Sequence, residues 1–196
     1  MEEKEIIVFG GSAGSVDVLL SILPKLPVKF PFPIVVVIHR KDMDDSVLES
    51  VMKSRCQLNV IEIEDKTFIK DGTIFLAPAG YHLLVENDYS FSLDLSEKIN
   101  FSRPNIDVAL ESIVNIYKNR VIGILLSGGN EDGARGMKLI KDAGGLIMIQ
   151  SPESSSVPVM PKSIESLVEP HNILSPDEIC NFLLSKSLSC NKRVFK

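Results

Sequence analysis

A chain of 196 residues, 44% hydrophobic and 24% charged, has the size and composition of one globular domain with a real core. Its net charge of −5 argues against a nucleic-acid binder held by phosphate contacts, and the absence of Trp excludes an indole platform. The longest apolar runs, such as Ile34 to Ile38, are far too short to cross a bilayer.

Cys56, Cys180 and Cys190 form no CxxC pair and no metal-ligand spacing, so they read as reduced thiols, and no metal site is expected. The acidic start, Met1-Glu2-Glu3-Lys4-Glu5, lacks the basic leader of a signal peptide. These features point to the cytoplasm.

Ile6-Ile7-Val8-Phe9 predicts a strand buried on both faces and ending in Gly10-Gly11. Val16 to Leu23 has helical spacing and is stopped by Pro24. Ile34 to Ile38 predicts a second buried strand that ends in His39, and Ser46 to Ser54 the next helix. This alternation implies an α/β sheet with right-handed crossovers. Asn59 to Asn100 carries short alternating runs broken by Asp71-Gly72, Pro78, Gly80 and Asn87-Asp88, which predict strand pairs or a meander at a sheet edge. Ile106 to Tyr117 predicts a helix capped by Asn105. Val121 to Leu126 predicts a buried strand, then Ser127-Gly128-Gly129 and a helix from about Asp132 to Ala143, closed by Gly144-Gly145. Leu146 to Ile149 predicts a strand, and Pro161 to Leu167 and Pro176 to Lys186 predict late helices. The chain reads as a single domain over 1–196, with a core of about 5–185 and a loose tail from about Ser187.

Three polar residues follow buried strands: Ser12 the first, His39 the second, and Asp132 the strand ending at Leu126. Sites in open α/β sheets form beyond the carboxyl ends of strands, so the three can meet there. They are a hydroxyl nucleophile, an imidazole base and a carboxylate to orient it. Gly10-Gly11-Ser12-Ala13-Gly14 also fits G-x-S-x-G, a tight strand-to-helix turn that lifts a serine hydroxyl above a sheet. Each residue has a plainer reading: Ser12 as an N-cap, His39 as a structural hydrogen bonder, and Asp132 as an acid favouring a helix start.

The order Ser12, Asp132, His171 would suit an α/β-hydrolase, but that fold needs strands ahead of its nucleophile and only one precedes Ser12. A dinucleotide-binding fingerprint fails because Ser12, or Ala13 in the shifted frame, stands where the second glycine belongs. His39-Arg40 also ends the second strand where a ribose-binding acid is needed.

Six segments together resemble the catalytic domain of bacterial chemotaxis protein-glutamate methylesterases. They are Ile7 to Gly14, Val36-Val37-Ile38-His39, Ala77-Pro78-Ala79-Gly80-Tyr81-His82, Ser102 to Val108, Leu125 to Met137, and Met160-Pro161. The resemblance covers roughly residues 5 to 185 in unbroken order. It implies a doubly wound, mostly parallel sheet with helices on both faces and a short antiparallel edge. It also implies a cytoplasmic serine hydrolase, without a cofactor, that cleaves glutamate methyl esters on methyl-accepting chemoreceptors and releases methanol; some members deamidate receptor glutamines. By motif position Ser12 is the nucleophile, His39 the base and Asp132 the carboxylate. Ala13, Gly129 and His82 are candidates for the oxyanion site or its wall. Arg103 either binds substrate carboxylates or anchors its own loop. His171, between Pro170 and Asn172, reads as a surface loop residue.

The chain departs from the family pattern at Ala13, Ser15, Gly129 and Glu131, and Glu131 could perturb the adjacent Asp132. Family regulators usually carry an N-terminal receiver domain, for which a first strand at Ile6 leaves no room; the chain reads either as a free-standing esterase domain, which the start Met1-Glu2-Glu3-Lys4 favours, or as an excised fragment. The alternative is a module that keeps the fold to bind receptor tails or a signalling partner.

Overall fold

The computed structural model describes residues 5–40 and 45–193, as nine strands and six α-helices. In chain order these are β1 (Ile6–Gly11), α1 (Ser15–Ile22), β2 (Ile34–Ile38), α2 (Asp45–Arg55), β3 (Asn59–Glu62), β4 (Thr73–Leu76), β5 (His82–Val85) and β6 (Phe91–Asp94). Then follow α3 (Ile106–Tyr117), β7 (Val121–Leu125), α4 (Ala134–Asp142), β8 (Leu146–Gln150), α5 (Val159–Leu167), β9 (Asn172–Leu174) and α6 (Pro176–Arg193). Seven strands form one parallel sheet in the order β3-β4-β2-β1-β7-β8-β9, and β5 and β6 pair antiparallel as a separate sheet.

Strands covered on both faces need apolar residues at every position, and β1, β2 and β7 are buried throughout. Alternate residues of β1 serve opposite layers: Ile6 and Val8 join the core under α3, α4 and α5, while Ile7 and Phe9 join that of α1, α2 and α6. From β1 the chain crosses to β2 on one side, and β7 later pairs on the other. The order therefore reverses at β1 and β7, and a crevice opens above their carboxyl ends.

The doubly wound class is as expected, but two local readings are corrected. Asn59–Glu62 and Thr73–Leu76 are not part of a meander: both run parallel in the main sheet, with Val60 opposite Ile74 and Val35 opposite Phe75. β3 is an edge strand, so Asn59 is exposed and Ile61 and Glu62 are half-covered, which produced the alternation of a hairpin. Among the described residues β5 and β6 form the expected strand pair, a hairpin that packs through Leu83, Val85 and Phe91 into the core shared with α3. Finally, the segment after Ser187 continues α6 to Arg193; Ser187 is buried and Cys190 packs against the core. No helix among the described residues is long and apolar enough to cross a membrane.

Helices α3 and α4 approach closely at Gly136, where a Cβ would fall 2.5 Å from Leu110 Cβ. Gly136→Ala gains helix propensity of about 1 kcal/mol but must force the helices apart, because Leu110 Cβ is fixed to the backbone. The variant is expected to lose about 1–3 kcal/mol of stability. Urea unfolding should show a lower midpoint at an unchanged m-value.

Candidate active site

Asp132 lies in the loop between β7 and α4, with its side chain only 1% exposed. A carboxylate this buried needs hydrogen bonds to replace water. Its Oδ2 accepts from the Ile106 amide at 2.7 Å and its Oδ1 from the Asp107 amide at 3.0 Å. These are the first two amides of α3, so the negative charge sits at the positive end of a helix. Asn105 Oδ1 takes the next free amide, that of Val108, at 3.0 Å. The complement runs the other way: Asp107 Oδ1 accepts from the Gly136 amide in the first turn of α4 at 2.7 Å. The cap residue of α4 is Gly133, which has no side chain to accept a bond, so α3 supplies the acceptor. Each helix thus holds a carboxylate from the other's amino end, and Asp132 is fixed by α3.

The second Asp132 Oδ2 contact is His39 Nε2, at 2.7 Å. The carboxylate accepts, so Nε2 carries the proton and Nδ1 keeps the basic lone pair. His39 follows β2 directly, and its backbone amide donates to Gly11 O at 3.1 Å, which puts the imidazole beside the end of β1. Ser102 Oγ lies 3.5 Å from Nδ1. Arg40, the next residue, bonds Glu62 and donates to Ala77 O at 2.8 Å, fastening this turn to β3 and to the end of β4.

Ser12 follows β1, with its amide on Ser127 O at 2.9 Å. Its half-buried hydroxyl makes no hydrogen bond among the described residues, His39 included. The amides of Ala13 and Gly129, both at exposed positions, likewise have no acceptor among the described residues, whereas Gly128 N is spent on Val157 O. Gly14 has a φ of 81°, and a Cβ there would fall 2.7 Å from Ser156 Cβ, so the turn after Ser12 requires glycine. Buried Ser127 ties the crevice together: its hydroxyl reaches Ala13 O at 2.8 Å and takes the Val157 amide at 2.9 Å. Its own amide donates to Gln150 Oε1 at 3.0 Å.

Of the expected site residues, His39 and Asp132 are in direct contact, and Ser12, Ala13 and Gly129 sit at the same end of the sheet. His82 is corrected: it is 1% exposed and lies behind the site rather than on its wall. Its Nε2 donates to Glu97 O at 3.0 Å and its Nδ1 accepts from the Asn105 amide at 3.3 Å, so it braces the cap of α3. Arg103 anchors its loop, donating to Leu95 O and Ser96 O, both at 2.8 Å. Glu131 is exposed, and the carboxylate that interacts with Asp132 is instead Asp107. His171 is exposed at the start of β9, its Nδ1 accepting from Ile147 N at 3.1 Å. Asp107, Ser102, Ser127 and Gln150 were not singled out from the sequence. For Asp107 a signal existed, since it stands in the first turn of a helix already recognised as capped by Asn105. Among the described residues no group of three His, Cys, Asp or Glu is placed to hold a metal ion.

The family model for the CheB methylesterase matches residues 7–183. A Leptospira interrogans protein, provisionally named protein-glutamate methylesterase/protein-glutamine glutaminase, is 39% identical over 92% of this chain and 93% of its own length. An Archaeoglobus fulgidus protein-glutamate methylesterase/protein-glutamine glutaminase is 37% identical over 80% of this chain, but only 46% of its own length is matched. The crystal structure of the Thermotoga maritima CheB methylesterase catalytic domain superposes with a TM-score of 0.89 at 34% identity, covering 93% of this chain and 98% of that one.

Burial raises the Asp107 carboxyl above its ordinary value; the Gly136 amide opposes the shift and the Asp132 charge adds to it. A raised folded-state pKa means the folded protein retains a proton that the unfolded chain has released. This group's contribution to stability therefore falls as pH rises from about 3.9 through the raised value. Asp107→Asn keeps an acceptor for Gly136 but does not titrate. The stability difference between this variant and wild type should move in the variant's favour between pH 4 and neutrality, as read from urea unfolding across that range.

Proposed function

The chain belongs to the CheB methylesterase family, and on that premise we propose that it removes methyl esters from glutamate side chains of methyl-accepting chemoreceptors on their cytoplasmic side. Glutamine deamidation at the same site is a lesser activity, because an amide nitrogen is a poorer leaving group than methoxide. Ser12 is the nucleophile, His39 the base, and Asp132 the group that fixes the tautomer of His39. The observation that carries this reading is the 2.7 Å contact of His39 Nε2 with a carboxylate held by helix amides.

His39 Nδ1 takes the proton of Ser12 Oγ as that oxygen attacks the ester carbonyl. The Ala13 and Gly129 amides receive the oxyanion. The imidazolium, stabilised by Asp132, then protonates departing methoxide, and methanol leaves. Water attacks the acyl-enzyme as Nδ1 accepts its proton, and the imidazolium then returns that proton to Ser12 Oγ as the acyl bond breaks and the glutamate carboxyl leaves.

One observation favours a second reading of the nucleophile. Ser102 Oγ, not Ser12 Oγ, is the hydroxyl within 3.5 Å of Nδ1. Ser12 is preferred because it stands at the β1–β7 reversal beside two unspent amides, whereas Ser102 Oγ also lies 3.5 Å from Asn100 O, to which it can donate.

The test is methanol release from methylated chemoreceptor membranes, together with peptide mapping after a fluorophosphonate probe. Wild type should release methanol, Ser12→Ala should release none, and the label should fall on Ser12. A label on Ser102 would overturn the nucleophile, and an inert wild type would overturn the substrate. Asp132→Asn should retain the fold while kcat falls by roughly 10⁴, the cost of a wrong tautomer in such a triad.

A further inference from the structure

Between β6 and α3, Leu95, Ile99 and Phe101 are 64%, 42% and 97% exposed. Single exposed apolar side chains are ordinary, but three within one short connection form a patch. The connection is not loose. Arg103 holds the carbonyls of Leu95 and Ser96, His82 that of Glu97, and Asn105 Nδ2 that of Ile99 at 3.3 Å; the Ser102 amide also donates to Ile99 O, at 3.0 Å. The backbone is thus fastened from beneath while these side chains are left in water. Asn100 and Phe101 have φ of 50° and 63°, a region that disfavours a bulky side chain. Folding alone gives no reason for an aromatic there.

The patch adjoins the base, since Ser102 follows Phe101 and touches His39 Nδ1. We propose that Leu95, Ile99 and Phe101 are the docking surface for the polypeptide that carries the ester. That polypeptide presents an aliphatic or aromatic side chain beside the modified glutamate. The inference rests on the esterase reading above. The connection runs directly into Ser102, whose hydroxyl lies 3.5 Å from His39 Nδ1, so the occupant this surface fits is one that brings its ester to that base.

The experiment compares kcat/KM for methanol release from methylated chemoreceptor membranes with kcat/KM for p-nitrophenyl acetate, which has no polypeptide flank. The variants are Phe101→Asn and Leu95→Ser/Phe101→Asn, with Val28→Asn as control. Val28 is 66% exposed ahead of β2, at the opposite end of the sheet from the crevice. Asn accepts a positive φ and Phe101 buries almost nothing, so the single variant should fold, as circular dichroism would verify. The receptor-to-small-ester ratio should fall about tenfold in Phe101→Asn, as when an aromatic anchor is truncated. It should fall further in the double variant and hold in Val28→Asn. A wild-type ratio in Phe101→Asn overturns the proposal. So does a wild-type dimer that Phe101→Asn dissociates without changing the ratio. A wild type inert to both substrates sinks the esterase reading, and this inference with it.

Discussion

A charge taken out of water must be given hydrogen bonds and an opposing potential, and Asp132 receives both from the amino end of α3. Much of the site follows from that requirement. The Ile106 and Asp107 amides fix both carboxylate oxygens, so the remaining direction of Oδ2 faces His39. The imidazole then has one tautomer and one exposed lone pair. Hydrogen bonds to an ionised acceptor are roughly twice as strong as neutral ones, so the arrangement is stiff at the atoms where stiffness matters.

The same requirement explains why α3 and α4 are bound together beyond their apolar contact. Asp107 caps the first turn of α4 while Asp132, ahead of α4, occupies that of α3. Such an exchange needs the two helix starts side by side, and Gly136 allows it by removing the Cβ that would meet Leu110. Behind α3, His82 and Asn105 hold the cap and the β6–α3 connection, so β5 contributes to the site without entering it. Ser127 and Gln150 do the same for the β1 turn on the other side of the reversal.

What could be read from the sequence was whatever leaves a local mark. Ile34–Ile38 is apolar at every position because both faces are covered, and Asn105 announces α3 by its place before an amphipathic run. Ser12, His39 and Asp132 stood out because each follows a buried strand. β3 was misread because an outermost strand of a parallel sheet is half exposed and alternates as a hairpin does. The last turns of α6 were missed because Ser187 is a polar residue buried by tertiary packing. The contacts of Asp107 with Gly136 and of Ser127 with Val157 join residues about thirty positions apart through backbone amides. No periodicity records such a bond, and for the same reason His82 was known as a motif residue but not by its direction.

The pairing of carboxylates has an electrostatic consequence for the proposed chemistry. Asp107 and Asp132 repel, and the Asp132 charge helps to hold the Asp107 carboxyl above its ordinary value. Helix amides and the Arg135 guanidinium offset part of this excess negative potential. A proton arriving on His39 places a cation 2.7 Å from Asp132, where it relieves part of that repulsion. In the proposed reaction His39 takes its proton as Ser12 attacks, so that relief falls at the chemical step. Interactions of that kind raise kcat rather than merely tighten binding. Two acids exchanged between helix ends thus build the site and set fixed negative charge beside its base.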